Sequence, residues 1–310
     1  EQAAAAALGE AVRLPRLRLT RLLWPYPGVP RRLEVTRHLA YGPHPMQVAD
    51  RYRLRGATGP APTLVQVHGG GWTAGRRGWQ GRPLVHRMAS LGWVVFDLEY
   101  RLSPKATYPD QLIDVKRAIA WIRAEAAAHG AEPSFIAVAG GSAGGQLAAL
   151  AALTSGDPGY QPGFEEADTS VQACLPVYGV HDLLRADGRP KWPYLASHVL
   201  KVTPEADPDA WRRASPTHCA REERPVFLIG HGGADALVRP AESRRLAAAV
   251  RAAGGPGVGH AEFPGATHGF ESLHSVRGER WVDGSAAVLG VLWARHQRVA
   301  ASVAGRSAAQ

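Results

Sequence analysis

The sequence predicts an α/β fold: a mostly parallel central sheet flanked by helices, with a small cap. Three observations carry that prediction. Short apolar runs alternate with segments of helical period through most of the chain, the pattern of βαβ units joined by right-handed crossovers. The strand-like run Phe135–Ala139 passes through Gly140-Gly141-Ser142-Ala143-Gly144-Gly145 into the Ala/Leu-rich Gln146–Leu153. The residues best suited to chemistry fall just past the ends of apolar runs, where open α/β sheets hold their ligands. At 310 residues the chain buries roughly 75% of its extended surface and needs no covalent staples. One α/β domain accommodates that length.

Residues 1–30 read as an N-terminal arm. Its five alanines, 3–7, read as a frayed helix or tail. From Arg13 to Trp24, Arg13, Arg16, Arg18 and Arg21 interleave with five leucines and Trp24. Two readings fit: a segment making peripheral contact with a membrane surface, or an arm packed over the domain as part of the cap with its arginines solvated. Pro25, Pro27 and Pro30 then break the chain. Residues 31–300 form the main domain. Leu33–Tyr41 and Gln47–Leu54 alternate about Gly42-Pro43-His44-Pro45 and read as a hairpin-like pair. Thr63–Val67 is a short strand ending at His68-Gly69-Gly70-Gly71-Trp72. Leu84–Leu91 reads as a helix and Trp93–Leu98 as a strand. Asp110–His129 has apolar residues at 112, 113, 115, 119 and 122, a helical period that ends at Gly130. After the central strand and turn, Val171–Tyr178 is a further strand. Residues 181–220 break the rhythm and read as a cap insertion. Pro225–Ile229, the helix Ala241–Ala253, the short strand His260–Phe263 and the helix Gly278–His296 restore it. Residues 301–310 read as a disordered tail. No internal repeat is present.

Composition narrows the function. The net charge is +9, and 32 of the 36 basic residues are arginine. A basic chain invites a nucleic-acid reading, but no recognition helix, aromatic-basic RNA motif or zinc spacing supports one, so no nucleic-acid partner is expected. A basic surface also suits anionic membranes or acidic partners. The two cysteines, Cys174 and Cys219, allow at most one disulfide and no zinc cluster. Cys174 falls in an apolar strand pattern and reads as a buried free thiol. No run of 18 apolar residues occurs. The chain starts at Glu1 without a methionine, which fits a processed or trimmed chain. What precedes it stays open, and the expected places are the cytoplasm or a membrane surface.

Gly-x-Ser-x-Gly at 140–144 puts a serine on a strained strand-to-helix turn, with its hydroxyl raised above the end of the sheet. The alternative is a phosphate-binding or plain glycine turn. A serine needs a base, and the base a carboxylate to fix its tautomer. On such an elbow the chain order is Ser, Asp or Glu, His. Asp235 follows the 225–229 strand and His268 the next one, so Ser142, Asp235 and His268 stand in that order. Taken singly, Asp235 could be a helix cap and His268 one of 13 histidines. His260 and His274, Asp207 and Asp209 are weaker rivals by position. The three glycines after His68 can aim amides inward, so Gly70, Gly71 and Ala143 are candidate oxyanion donors. No Lys-Ser/Thr follows that loop and no Gly-x-Gly-x-x-Gly leads into a helix, which argues against nucleotide binding.

His68-Gly-Gly-Gly-Trp72, Tyr100-Arg101-Leu102-Ser103-Pro104, Gly140-Gly141-Ser142-Ala143-Gly144-Gly145, Asp235 and His268-Gly269-Phe270 resemble the hormone-sensitive-lipase-like group of bacterial carboxylesterases and lipases. The resemblance spans roughly residues 60 to 297 and implies an α/β-hydrolase fold. It also implies Ser142 as nucleophile, His268 as base then acid, Asp235 as orienter, and Gly70, Gly71 and Ala143 as oxyanion donors. No metal or organic cofactor is implied. The implied substrate is a small-molecule ester of short to medium acyl chain, since the cap is small. Gly141 departs from the family, where many members carry Asp. Trp192, Tyr194, Leu195, Val199 and Leu200 in the cap could line a pocket or simply pack. Amide or formamide hydrolysis on the same residues is the alternative reaction, and a silent hydrolase fold used for binding is a third reading.

Overall fold

The computed structural model describes residues 1–15, 28–272 and 275–307. The apolar runs form β1 (Leu33–Ala40), β2 (Val48–Leu54), β3 (Ala61–Val67), β4 (Val94–Leu98), β5 (Ala131–Gly141), β6 (Ala173–Val177), β7 (Val226–Gly232) and β8 (Val258–Phe263). They make one sheet in the order β1-β2-β4-β3-β5-β6-β7-β8. β1 and β2 pair antiparallel, as the hairpin reading expects, and β2 also runs antiparallel to β4. From β4 to β8 every neighbouring pair is parallel.

The central strands are buried on both faces, so they read as continuous apolar runs rather than alternating ones. Alternation decides only which core a residue joins. Val65, Val67, Ile136 and Val138 face one side with α3 (Asp110–Ala124), α5 (Ala143–Leu153) and α7 (Ala241–Ala252). Leu64, Phe135, Ala137 and Ala139 face the other with α1 (Gln2–Leu8), α2 (Arg82–Ser90) and α8 (Val276–Ser307).

Several expectations are corrected. The helix read over 110–129 divides at Glu125 into α3 and α4 (Ala126–His129). α5 starts at Ala143, because Gly144 and Gly145 are drawn into its first turn. The alanines at 3–7 belong to a docked helix in which Ala4, Ala7 and Leu8 are buried. Alanines pack closely, and Gly257, just before β8, and Gly259 on it leave room for the carbonyls of Ala7 and Ala3. α1 therefore joins the core opposite the one that takes the cap's Leu195, Val199 and Trp211, and the described part of the arm is not part of the cap. The Arg/Leu stretch proposed for a membrane surface lies largely at 16–24, outside the described residues. The tail expected at 301–310 is helical to Ser307. Once a helix is nucleated, the Arg, Val and Ala residues past 297 extend it at little cost. The last three residues lie outside the described part.

Between β6 and β7 the cap insertion folds as a wide helical turn (Leu195–Val199), α6 (Pro208–Arg213) and a 3₁₀ turn (Pro216–His218). Both cysteines are free, Cys174 buried and Cys219 partly so. No described helix is long and apolar enough to cross a membrane.

Candidate active site

β5 delivers Ser142 to the carboxyl end of the sheet with φ 57° and ψ −123°. A residue with a Cβ occupies that region only under strain. The turn is held because a Cβ at Gly144 would run into the carbonyls of Val67 and His68, so only glycine lets α5 start so close to β3. The Ser142 amide donates to the Val177 carbonyl at 3.0 Å.

Ser142 Oγ lies 3.0 Å from His268 Nε2, and His268 Nδ1 lies 2.7 Å from Asp235 Oδ2. A carboxylate can only accept, so Nδ1 carries the proton and Nε2 is left to accept the serine hydroxyl. Asp235 is buried. Its Oδ1 accepts the amides of Leu237 and Val238, each at 2.9 Å. Burial alone would raise its pKa; hydrogen bonds from His231, His268 and the Val238 amide outweigh it and hold the carboxyl well below the usual range. Three residues separated by up to 126 positions thus form one relay in the predicted order.

The loop after β3 lies beside the serine. Gly70 has φ 122° and Gly71 φ 60°, which glycine adopts without penalty. Among the described residues, the amides of Gly70, Gly71 and Ala143 donate to no protein acceptor. At Ala143 this follows from its place at the start of α5, where the first amides of a helix have no partner within it. The loop is anchored from behind. Trp72 Nε1 donates to Gln146 Oε1 at 3.0 Å, and Tyr100 Oη donates to the His68 carbonyl at 2.9 Å. Buried His68 stacks on Tyr100 and lies 3.3 Å from Glu99.

A cavity of about 370 Å³ opens over the serine, lined by Gly69, Gly70, Gly71, Trp79, Gln80, Ser142, Leu237, His268 and Ser272. Several of these carry no signal in the sequence. Gln80 Oε1 accepts the Gly69 amide at 2.5 Å while its Nε2 donates to Tyr178 Oη at 3.0 Å. The Tyr178 ring packs 4.5 Å from His268. Burial raises the Tyr178 phenol well above its ordinary value and keeps it neutral. Gln80 therefore ties the glycine loop to the floor under His268. It sits in an aperiodic stretch, and nothing local marks it. His231 was equally silent: it lies 3.4 Å from Asp235 Oδ2 and bridges the Val238 carbonyl and Ser243 Oγ.

The rival residues are placed elsewhere. His260 stays within β8. Asp207 caps α6 through the Ala210 amide, and Asp209 pairs with Arg212 on the surface. His274 lies outside the described residues. Of the five cap candidates, Leu195, Val199 and Leu200 are buried in the core. Tyr194 places its hydroxyl over Gly71, and Trp192 lines a neighbouring cleft. Among the described residues no group of three or more His, Cys, Asp or Glu could hold a metal ion.

An eight-stranded, mostly parallel sheet of this order, with an elbow serine at the end of its central strand, is an α/β-hydrolase fold. The chain belongs to the BD-FAE family, whose model matches residues 50–250, within the hormone-sensitive-lipase-like hydrolases. It is 44% identical over 237 residues to Esterase LipQ of Mycobacterium tuberculosis, covering 76% of this chain and 56% of that one. It is 39% identical over 252 residues to Esterase LipC of the same organism, covering 80% and 62%. The chain thus spans roughly three-fifths of the length of these two relatives. Among solved structures it is similar to esterase 2 of Thermogutta terrifontis, with a TM-score of 0.71 and 26% identity over 87% of this chain and 98% of that one. A truncated carbohydrate esterase from gut microbiota has the same fold, with a TM-score of 0.75 at 22% identity over 84% of this chain and 96% of that one.

Proposed function

We propose that the protein is a serine carboxylic-ester hydrolase acting on short- to medium-chain acyl esters through an acyl-enzyme. One observation carries the reading: the unbroken Asp235–His268–Ser142 relay, at 2.7 and 3.0 Å, at the floor of a cavity. The esterase relatives support the reaction class.

His268 Nε2 takes the proton of Ser142 as Oγ attacks the ester carbonyl carbon. The carbonyl oxygen becomes an oxyanion and receives the free amides of Gly70, Gly71 and Ala143. One such donor is worth roughly 3–4 kcal/mol of transition-state stabilisation. The imidazolium, steadied by ionised Asp235, returns the proton to the leaving alcohol, and the acyl group stays on Oγ. Water then enters, loses a proton to His268, attacks the acyl carbon and releases the acid and Ser142. Depressing the carboxyl of Asp235 favours this cycle, because an ionised partner stabilises the imidazolium. A cavity of about 370 Å³ suits small esters.

Hydrolysis of p-nitrophenyl butyrate by the full chain and by Ser142→Ala tests the reading. The expected loss is on the order of 10⁴–10⁶ in kcat. Turnover that survives the substitution would overturn it. Faster turnover of an anilide or formanilide than of the matched ester would move the substrate class to amides.

A further inference from the structure

A second cleft of about 420 Å³ adjoins the one over Ser142, and Leu237 lines both. Continuity also runs through the cap. The Tyr194 hydroxyl lies over Gly71, and the Tyr194 ring stacks on Trp192, which lines the second cleft. The lining is strongly basic: Arg185, Lys191, Arg239 and Arg245 face a single carboxylate, Glu242.

The one carboxylate is already used. Buried Glu242 accepts the amides of His181 and Asp182 at 3.2 and 2.9 Å and pairs with Lys191 at 3.2 Å and with Arg245. Lys191 is spent in the same way. Its ammonium donates to the carbonyls of Asp182 and Leu184 as well as to Glu242, so all three of its protons are taken and it pins the cap to α7. The remaining guanidiniums have capacity left. Arg239 makes no ion pair among the described residues. Arg185 has only Asp187 at 4.0 Å, with both side chains at least half exposed. Arg245 shares one nitrogen with Glu242 and leaves its others open.

We propose that this cleft receives an anionic group, carboxylate or phosphate, at the end of the ester remote from the scissile carbonyl, with the intervening apolar part lying on Trp192 and Leu237. The geometry of guanidinium forks matches both oxyanions. The proposal rests on the hydrolase reading above and names the substrate class of that site.

The test compares wild type with Arg185→Gln/Arg239→Gln on phenyl butyrates bearing a para carboxylate, a para phosphate or a neutral para carboxamide, and on 4-nitrophenyl hydrogen glutarate against 4-nitrophenyl valerate. Following each ester from wild type to variant cancels differences in leaving-group reactivity. On at least one side of the ester, kcat/KM for the anionic member should fall about tenfold more than for its neutral partner, the size expected of two exposed charge-assisted contacts. The carboxylate and phosphate arms tell which oxyanion fits. In wild type, 0.5 M NaCl should erode the anionic preference through screening. Equal losses for anionic and neutral esters on both sides would overturn the proposal. Labelling of Ser142 by a fluorophosphonate reports the nucleophile separately, so failure of the hydrolase reading is seen independently. Binding of the unreactive amide 4-butyramidobenzoate to Ser142→Ala, with and without the two arginine substitutions, reads the cleft without turnover; undiminished affinity in the triple variant would also overturn it for the alcohol side.

Discussion

Replacing Ser142 by glycine and by alanine separates chemistry from strain. Both substitutions remove the hydroxyl, so both should lose on the order of 10⁴–10⁶ in kcat. Their stabilities should differ in an unusual direction. At φ 57° and ψ −123° a residue with a Cβ carries roughly 1–3 kcal/mol of backbone strain. Alanine keeps the Cβ and the strain, whereas glycine removes both. Against that gain stands the greater freedom of glycine in the unfolded chain, about 0.4–1 kcal/mol. The difference leaves Ser142→Gly more stable than Ser142→Ala by about 1.3 kcal/mol at the middle of these ranges and by up to about 2.6 kcal/mol. Urea unfolding at constant m-value would show a midpoint higher by roughly 0.4 M and by up to about 0.9 M, taking a slope of about 3 kcal/mol/M for a chain of this size. At an ordinary position the same exchange destabilises by about 0.5–1 kcal/mol. A glycine variant less stable than the alanine variant by that amount would refute the claim that the elbow stores strain.

Gly141 is tight for a different reason. A Cβ there would stand 2.9 Å from Tyr178 Oη and 3.0 Å from its ring, and Tyr178 is the floor under His268. Gly141→Ala should cost about 1–3 kcal/mol of stability by overpacking and lower kcat on p-nitrophenyl butyrate by about tenfold or more as His268 is displaced; unaltered melting temperature and kcat would refute it. Asp97 supplies a pH test away from the relay. Burial, with Asp50 and Glu99 adding to it, pushes its pKa up to about 8 against an opposing hydrogen bond from the Gly78 amide. The folded state thus keeps a proton that the unfolded chain releases near 3.8. Stability from this group is full below about pH 4 and is lost as pH rises through about 8, at up to about 1.4 kcal/mol per pH unit. Asp97→Asn, which cannot ionise, should gain on wild type between pH 5 and pH 9 in urea unfolding, and a constant gap would refute the assignment.

Much of this protein is legible in the sequence because its signals are local. The strand runs, the helical period of α3 and α7, and the small-residue turn around Ser142 need only neighbours to be read. The placing of Asp235 and His268 just past strand ends follows from the same periodicity, and the fold then brings them to hydrogen-bond distance. The misses were also physical. Five alanines look like a frayed helix until Gly257 and Gly259 are found beneath them. The last helix looks finished at His296, since its exposed continuation over 297–303 buries no apolar stripe to read.

The tertiary structure alone decided the partnerships. Gln80 reaches Tyr178 across 98 positions, and His231 at the end of β7 reaches Ser243 on α7. Arg185 from the cap and Arg239 from the segment after β7 line one cleft. Such pairings are set by the order in which strands cross over in the sheet, and strand order leaves no trace in the periodicity of any one segment. The sequence by itself therefore determined which residues could act; the packing of β5, β6 and β7 side by side decided what each of them touches.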